Sequence, residues 1–204
     1  MLTFVNPRFP PKPQRITSKQ SGGEMHSSGN IAIHEASVWK GLAAGAIGGI
    51  VGSWVMEEFQ SAWTKVAKNA QPQNGSNEAN KTDEHEPATV KAAEKVSEAL
   101  FDHRLEDDEK RWAGNAVHYA TGGTSGAVYG LAAEFAPKVT SAVGVPFGTV
   151  VWLAVDEGAV PLFGLSKGPT EYPVSTHAYA LASHFVYGLT TEVVRRALRS
   201  SVLR

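Results

Sequence analysis

The sequence contains no cysteine among its 204 residues. That excludes a disulfide framework, a thiolate zinc site, an iron–sulfur cluster and a cysteine nucleophile, and it leaves the redox compartment open. Neither sign of charge is in excess: 19 Lys and Arg stand against 20 Asp and Glu, a formal net charge of -1. Nucleic-acid binding needs a basic face, so no nucleic-acid partner is expected. Signatures of catalysis are also missing. There is no HExxH, no serine nucleophile elbow and no paired DxxD. Gly122-Gly123-Thr124-Ser125-Gly126 is glycine-rich, but it lacks the P-loop lysine and a preceding strand. No enzymatic activity, catalytic residue, metal site or cofactor is expected.

The scarcity of charge is uneven along the chain. Residues 38–56 carry only Lys40, and residues 115–133, 139–155 and 176–191 carry none, counting His as neutral. A helix crossing a bilayer core takes about 20 residues, and each stretch is near that length. A soluble bundle would show a charged stripe along each helix, whereas these stretches are apolar or small on every side. The expected fold is therefore all-α: a four-transmembrane-helix bundle with a disordered N-terminal arm and an extramembrane amphipathic helix. Its parts are a basic, disordered arm at 1–36, a first transmembrane helix and extension at 37–67, and a polar linker at 68–87. An amphipathic surface helix at 88–112 follows, its apolar side carried by Ala93, Val96, Leu100 and Leu105, then transmembrane helices two to four at 113–199 and a tail at 200–204.

Loop charges set the orientation. With four spans, ten basic and four acidic residues fall on the side of the termini, against nine basic and sixteen acidic on the other. The long 57–114 segment counts for little in this rule, so the short loops and tails decide, and both termini are expected in the cytoplasm.

Small residues recur at helical spacing within the spans. Gly41, Gly45 and Gly49 lie four apart in the first, and Gly122, Gly126 and Gly130 in the second. Without a hydrophobic drive between helices in lipid, such ridges let backbones approach. They predict tight packing and offer a surface through which copies of the chain could associate. A short repeat accompanies them: Val128-Tyr129-Gly130-Leu131-Ala132-Ala133-Glu134 aligns with Val186-Tyr187-Gly188-Leu189-Thr190-Thr191-Glu192. Gly45 and Gly49 then align with Gly144 and Gly148, as expected of a duplicated two-helix hairpin.

Ionisable groups within or at the ends of spans are candidate site residues. Glu57-Glu58 and Asp156-Glu157 end the odd spans, His118 and His177 begin the even ones, and His184 lies two turns deeper than His177. These seven form a candidate polar layer at the non-cytoplasmic face, able to relay protons or hold a cation. Asp156-Glu157-Gly158 followed by Pro161 predicts a break in the third span, and Glu192 with Arg195 and Arg196 at i+3 and i+4 predicts a salt bridge.

His118, Ala133-Glu134-Phe135-Ala136-Pro137-Lys138, Pro161-Leu162-Phe163-Gly164-Leu165, Glu171 to Pro173, His177 and Glu192-Val193-Val194-Arg195-Arg196-Ala197-Leu198-Arg199 form one series over residues 115–199. In these motifs the chain resembles the uncharacterised bacterial inner-membrane family typified by the enterobacterial protein YagU. The resemblance implies an integral protein of the bacterial inner membrane and supplies no catalytic or ligand residues. The expected role is that of a non-enzymatic helical-bundle membrane protein, its main partner the lipid bilayer. The alternative is a small transporter or a proton/ion pathway through the polar layer.

Overall fold

The computed structural model describes residues 23–70 and 86–201, with side chains over 38–69 and 86–201. The chain divides into two units, residues 1–35 and 36–204, and the bundle is built from the second. Among the described residues every regular element is helical. The order is α1 (Gly23–Ala70), α2 (Ala88–Phe101), α3 (Asp107–Phe135), a 3-10 segment (Pro137–Gly144), α4 (Val145–Val151), a π-helical segment (Trp152–Ala159), α5 (Val160–Leu162), a 3-10 turn (Pro169–Glu171) and α6 (Val174–Ser201). Among the described residues two segments are long and apolar enough to cross a membrane, Val38–Asn69 and Pro137–Leu162. α1 begins at Gly23, inside the stretch expected to be a disordered arm; no proline interrupts the chain between Pro13 and Pro72. The rest of that arm, most of the 68–87 linker and the last residues of the tail lie outside the described residues.

The expected surface helix at 88–112 is two elements. α2 ends at Phe101 because Asp102 turns left-handed (φ 50°), its N–H returning to the Glu98 and Ser97 carbonyls. α3 restarts at Asp107, where the Glu106 N–H donates to Glu109 Oε2 at 2.9 Å. Asp107, Asp108 and Glu109 put three carboxylates on its first turn, against the positive end of the helix dipole. The buried face of α2 is Val90, Ala93 and Ser97, while Val96 and Leu100 are exposed, so only Ala93 of the expected apolar side faces α3. The reason is Gly114 on α3, where the lack of a side chain leaves room for Val90. Lys110 locks the corner through Glu86 (3.0 Å) and Glu94 (2.9 Å).

α1 and α3 run antiparallel with their glycines opposed. A Cβ built on Gly45 would overlap the Gly126 carbonyl and lie 2.8 Å from Gly130 Cα, and one on Gly49 would lie 3.1 Å from Gly126 Cα. All six ridge glycines are buried between these two helices, so association of copies through them would have to displace the chain's own helix. The second hairpin repeats the arrangement. Gly188 of α6 faces Gly144 and Gly148, a Cβ on it falling 2.9 Å from Gly148 Cα. The packing has the form of the sequence repeat but is shifted from it by one helical turn: Gly130 meets Gly45, whereas its counterpart Gly188 meets Gly148, the counterpart of Gly49.

The third apolar segment is less regular than a single span. Ala142 and Val143 have positive φ (50° and 53°) and Gly144 has φ 84°, which turns the chain within the last residues of the 3-10 segment. Only at Gly144 is this conformation unstrained. A Cβ there would also strike the Gly188 carbonyl. Four residues before Pro161, whose ring would press on the Glu157 carbonyl in a regular helix, the rod widens into the π segment, with the Val160 N–H reaching Val155 O. The break expected at Asp156 to Pro161 is absent: the helix runs on through the π segment to Leu162.

Polar side chains are buried beside small and aromatic ones such as Ala44, Ala133, Tyr129 and Tyr187, while large aliphatic ones lie outside. The largest fully buried side chains are Glu192, Thr191, Ser53 and Ser183, while Ile47, Ile50, Val128, Val150, Leu153, Leu189 and Val193 face outward. Hydrogen bonds and close backbones add to a small apolar core inside, and the exterior carries aliphatic and aromatic side chains.

Candidate functional site

At one end of the bundle the helices part around a cavity of about 610 Å³. α1 contributes Glu57, α3 His118, the π segment Asp156 and α6 His184, while Ala88, Thr89 and Ala92 of α2 lie over it. Lys95 of α2 reaches across to the Phe163 carbonyl at 2.6 Å, tying this cover to the end of the third rod.

Three of these four ionisable groups have a hydrogen-bond partner, and Asp156 lies beside His184. The Tyr119 hydroxyl donates to Glu57 Oε2 at 2.8 Å, and His118 Nε2 lies 3.4 Å from the Ser53 carbonyl. His184, only 5% exposed, places Nδ1 at 2.9 Å from the Ala180 carbonyl and 3.7 Å from Asp156 Oδ2. A carbonyl can only accept, so Nδ1 carries the proton and Nε2 keeps its lone pair in the neutral ring. No described residue hydrogen-bonds that Nε2. The Tyr187 hydroxyl closes the floor by donating to the Gly122 carbonyl at 2.7 Å. π segments recur at functional sites because they re-aim side chains; here one turns Asp156 toward His184.

Of the seven residues expected to form a polar layer, Glu57, His118, Asp156 and His184 line this cavity. Glu157 and His177 pair with each other instead, at 2.6 Å, and His177 Nε2 donates to the Pro169 carbonyl at 2.9 Å. Both ring nitrogens therefore face acceptors, and the pair braces the loop before α6. Glu58 is exposed, since one residue along a helix is a turn of about 100°, which carries it away from the face that Glu57 presents. Among the described residues no group of three or more His, Asp or Glu could hold a metal ion.

The opposite end is closed by ion pairs. Glu192 is fully buried and bound by Arg195 Nε (2.7 Å) and by Arg196, whose guanidinium also donates to the Thr140 carbonyl at 2.9 Å. Glu134 of α3 binds Arg199 of α6 through two 2.8 Å bonds. Beneath them Phe147 stacks on Tyr129 (4.1 Å between ring centres) and leans on Tyr187 (5.6 Å). The Glu192 bridge has the expected i+3 and i+4 geometry. The Glu134–Arg199 bridge and the aromatic stack link distant segments, and the only hint of them in the chain is that both repeated motifs contain Tyr-Gly and end in Glu.

Among the described residues the fold is all-helical, with two segments long and apolar enough to cross a membrane and a cavity at one end of the bundle. Residues 83–193, just over half of the chain, match the family described as "Protein of unknown function (DUF1440)". The chain belongs to that family. The match opens before α2, so the helix over the cavity is part of the family unit, a wider extent than the resemblance over 115–199. No curated protein and no solved structure matches the chain.

Proposed function

We propose that the chain is a non-enzymatic, four-span protein of the bacterial inner membrane, with both termini cytoplasmic, that admits a small solute to the cavity between its helices from the opposite side. Four spans are supported by the apolar exterior. α3 and α6 turn Val128, Phe135, Leu189 and Val193 outward, just as α1 and the third rod turn out their own aliphatic residues, and lipid is the solvent that suits such a surface. From Gly41 to Glu57, the reach between the ion-paired end and the cavity, α1 rises roughly 24 Å, within a bilayer core of about 30 Å. The glycine ridges then replace hydrophobic drive as the source of helix packing. Orientation rests on the basic residues of the terminal side, and the bacterial inner membrane on the resemblance to the YagU-like family.

The observation that carries a solute pathway is the convergence of Asp156 and His184 on a cavity with one end closed. Polar ionisable groups at membrane depth mark pathways and sites, and ion pairing at Glu134–Arg199 and Glu192–Arg195 closes the far end. A purely structural assembly has no such support, because the ridges that would join copies are covered. Reconstitution into liposomes, followed by proton or cation flux, tests the reading. Flux should be present with the native chain and fall with Asp156→Asn and with His184→Ala. Absent flux, or flux untouched by both substitutions, contradicts it.

A further inference from the structure

We propose that the solute is a protonated amine carried on an apolar body; the inference rests on the cavity reading above and names its ligand class. The cavity's ionisable groups are the Glu57 and Asp156 carboxylates with two imidazoles, and no described Lys or Arg lines it. The ligand must supply the positive charge that the walls lack. Hydrogen bonding narrows the class further. With Nδ1–H committed to the Ala180 carbonyl, the neutral His184 ring offers Nε2 as an acceptor. Asp156 Oδ2 lies 3.7 Å from the Nδ1 edge of that ring, so a carboxylate and an imidazole that keeps a lone pair at Nε2 border the same cavity. A protonated amine brings both the charge that faces the carboxylates and an N–H that Nε2 can accept, whereas a quaternary cation brings the charge alone.

The rest of the wall sets the ligand's body. Met56, Val117, Val151, Val155, Val160 and Phe163 make most of the surface aliphatic or aromatic. A bare inorganic cation would lose its hydration there without replacement ligands, and no three described His, Asp or Glu side chains gather to chelate one. A volume of about 610 Å³ is within the range of sites for drug-sized organic molecules. An aryl or alkyl group fills the apolar part while the ammonium meets Asp156 and His184, and Glu57 adds a second negative charge across the cavity.

Quinacrine, a fluorescent protonated amine on an aromatic body, tests this on the detergent-solubilised full chain, with anilinonaphthalene sulfonate as the anionic probe. Quinacrine should bind saturably, about tenfold or more weakly in Asp156→Asn and more weakly in Glu57→Gln, and not in Val155→Phe, which fills the cavity. Circular dichroism checks that each variant is folded, and the two isosteric carboxylate changes keep the test valid if Val155→Phe is not. Equal quinacrine affinity in both carboxylate variants overturns the ligand class. If the sulfonate binds instead and Val155→Phe blocks it, the amine assignment falls while the cavity reading survives. If neither probe binds, both fall.

Discussion

Alanine at Gly126 and alanine at Gly123, two buried glycines three residues apart, should have opposite effects on stability. A Cβ at Gly126 would overlap the Gly45 carbonyl and lie 2.8 Å from Gly49 Cα and 2.9 Å from Gly49 N. Carbon atoms rest at about 3.5–4.0 Å, so α1 and α3 would have to separate by roughly 1 Å, and the obstacle is backbone, which no rotamer change relieves. A gap of that size forfeits a quarter to a half of each dispersion contact along the ridge. Overpacking of this kind costs about 1–3 kcal/mol, more than the gain of at most about 1 kcal/mol from replacing a helical glycine by alanine. At Gly123 the nearest atoms are Ile50 Cγ1 at 3.2 Å and Cδ1 at 3.6 Å. These belong to a side chain that can rotate outward, so the propensity gain prevails. Equilibrium unfolding in mixed detergent and SDS micelles reads both variants. Gly126→Ala should unfold at lower SDS and Gly123→Ala at the same or higher SDS than the native chain. A Gly126→Ala protein as stable as Gly123→Ala would refute the contact between the two ridges.

Other outcomes follow from the same structure. Glu192→Gln should cost about 3–5 kcal/mol, because it leaves Arg195 buried beside a neutral partner, and Glu134→Gln less, about 2 kcal/mol, since Arg199 can turn toward solvent; thermal unfolding ranks the two. Val143→Gly should raise the melting temperature, relieving a β-branched residue at φ 53° by about 1 kcal/mol. The corner between α2 and α3 should loosen in acid. Lys110 holds the Glu94 carboxyl below its ordinary value of 4.5, so the pair's contribution is complete above that pH and is lost as pH falls through the lowered folded value. The protection of α2 amides, taken relative to the intrinsic exchange rate at each pH, should fall over that window in the native chain and already be low, with little pH dependence, in Lys110→Met.

How much of this was legible in the chain depends on the range over which each signal acts. The charge-free stretches and the four-residue glycine spacing are local patterns. They located the helices and the faces on which Gly45 meets Gly126 and Gly188 meets Gly148. The Glu192 bridge to Arg195 and Arg196 is local too, and it formed as its spacing required. Where packing between distant segments decided the outcome, the sequence was silent or misleading. The α2 face is set by Gly114 on another helix, so Val96 and Leu100, apolar and correctly spaced, are outside. Neighbouring carboxylates looked equivalent, yet Glu57 meets Tyr119 and Glu58 is turned away. Asp156 and Glu157 separate because the π segment aims one at His184 and leaves the other to His177. The Glu134–Arg199 bridge joins residues 65 apart, a distance at which no periodicity speaks.

The central claim is that four helices cross the bilayer with the cavity on the side away from the termini, and cysteine accessibility tests it directly. The chain has no native cysteine, so Lys138→Cys, Thr170→Cys and Ser200→Cys each carry a single label site, all at exposed positions. A membrane-impermeant maleimide applied to intact cells should label Thr170→Cys alone, with the other two reacting only after permeabilisation. If only the two most apolar segments, Val38–Asn69 and Pro137–Leu162, crossed, Thr170→Cys and Ser200→Cys would share a side and Lys138→Cys would stand apart, and that pattern would contradict the account.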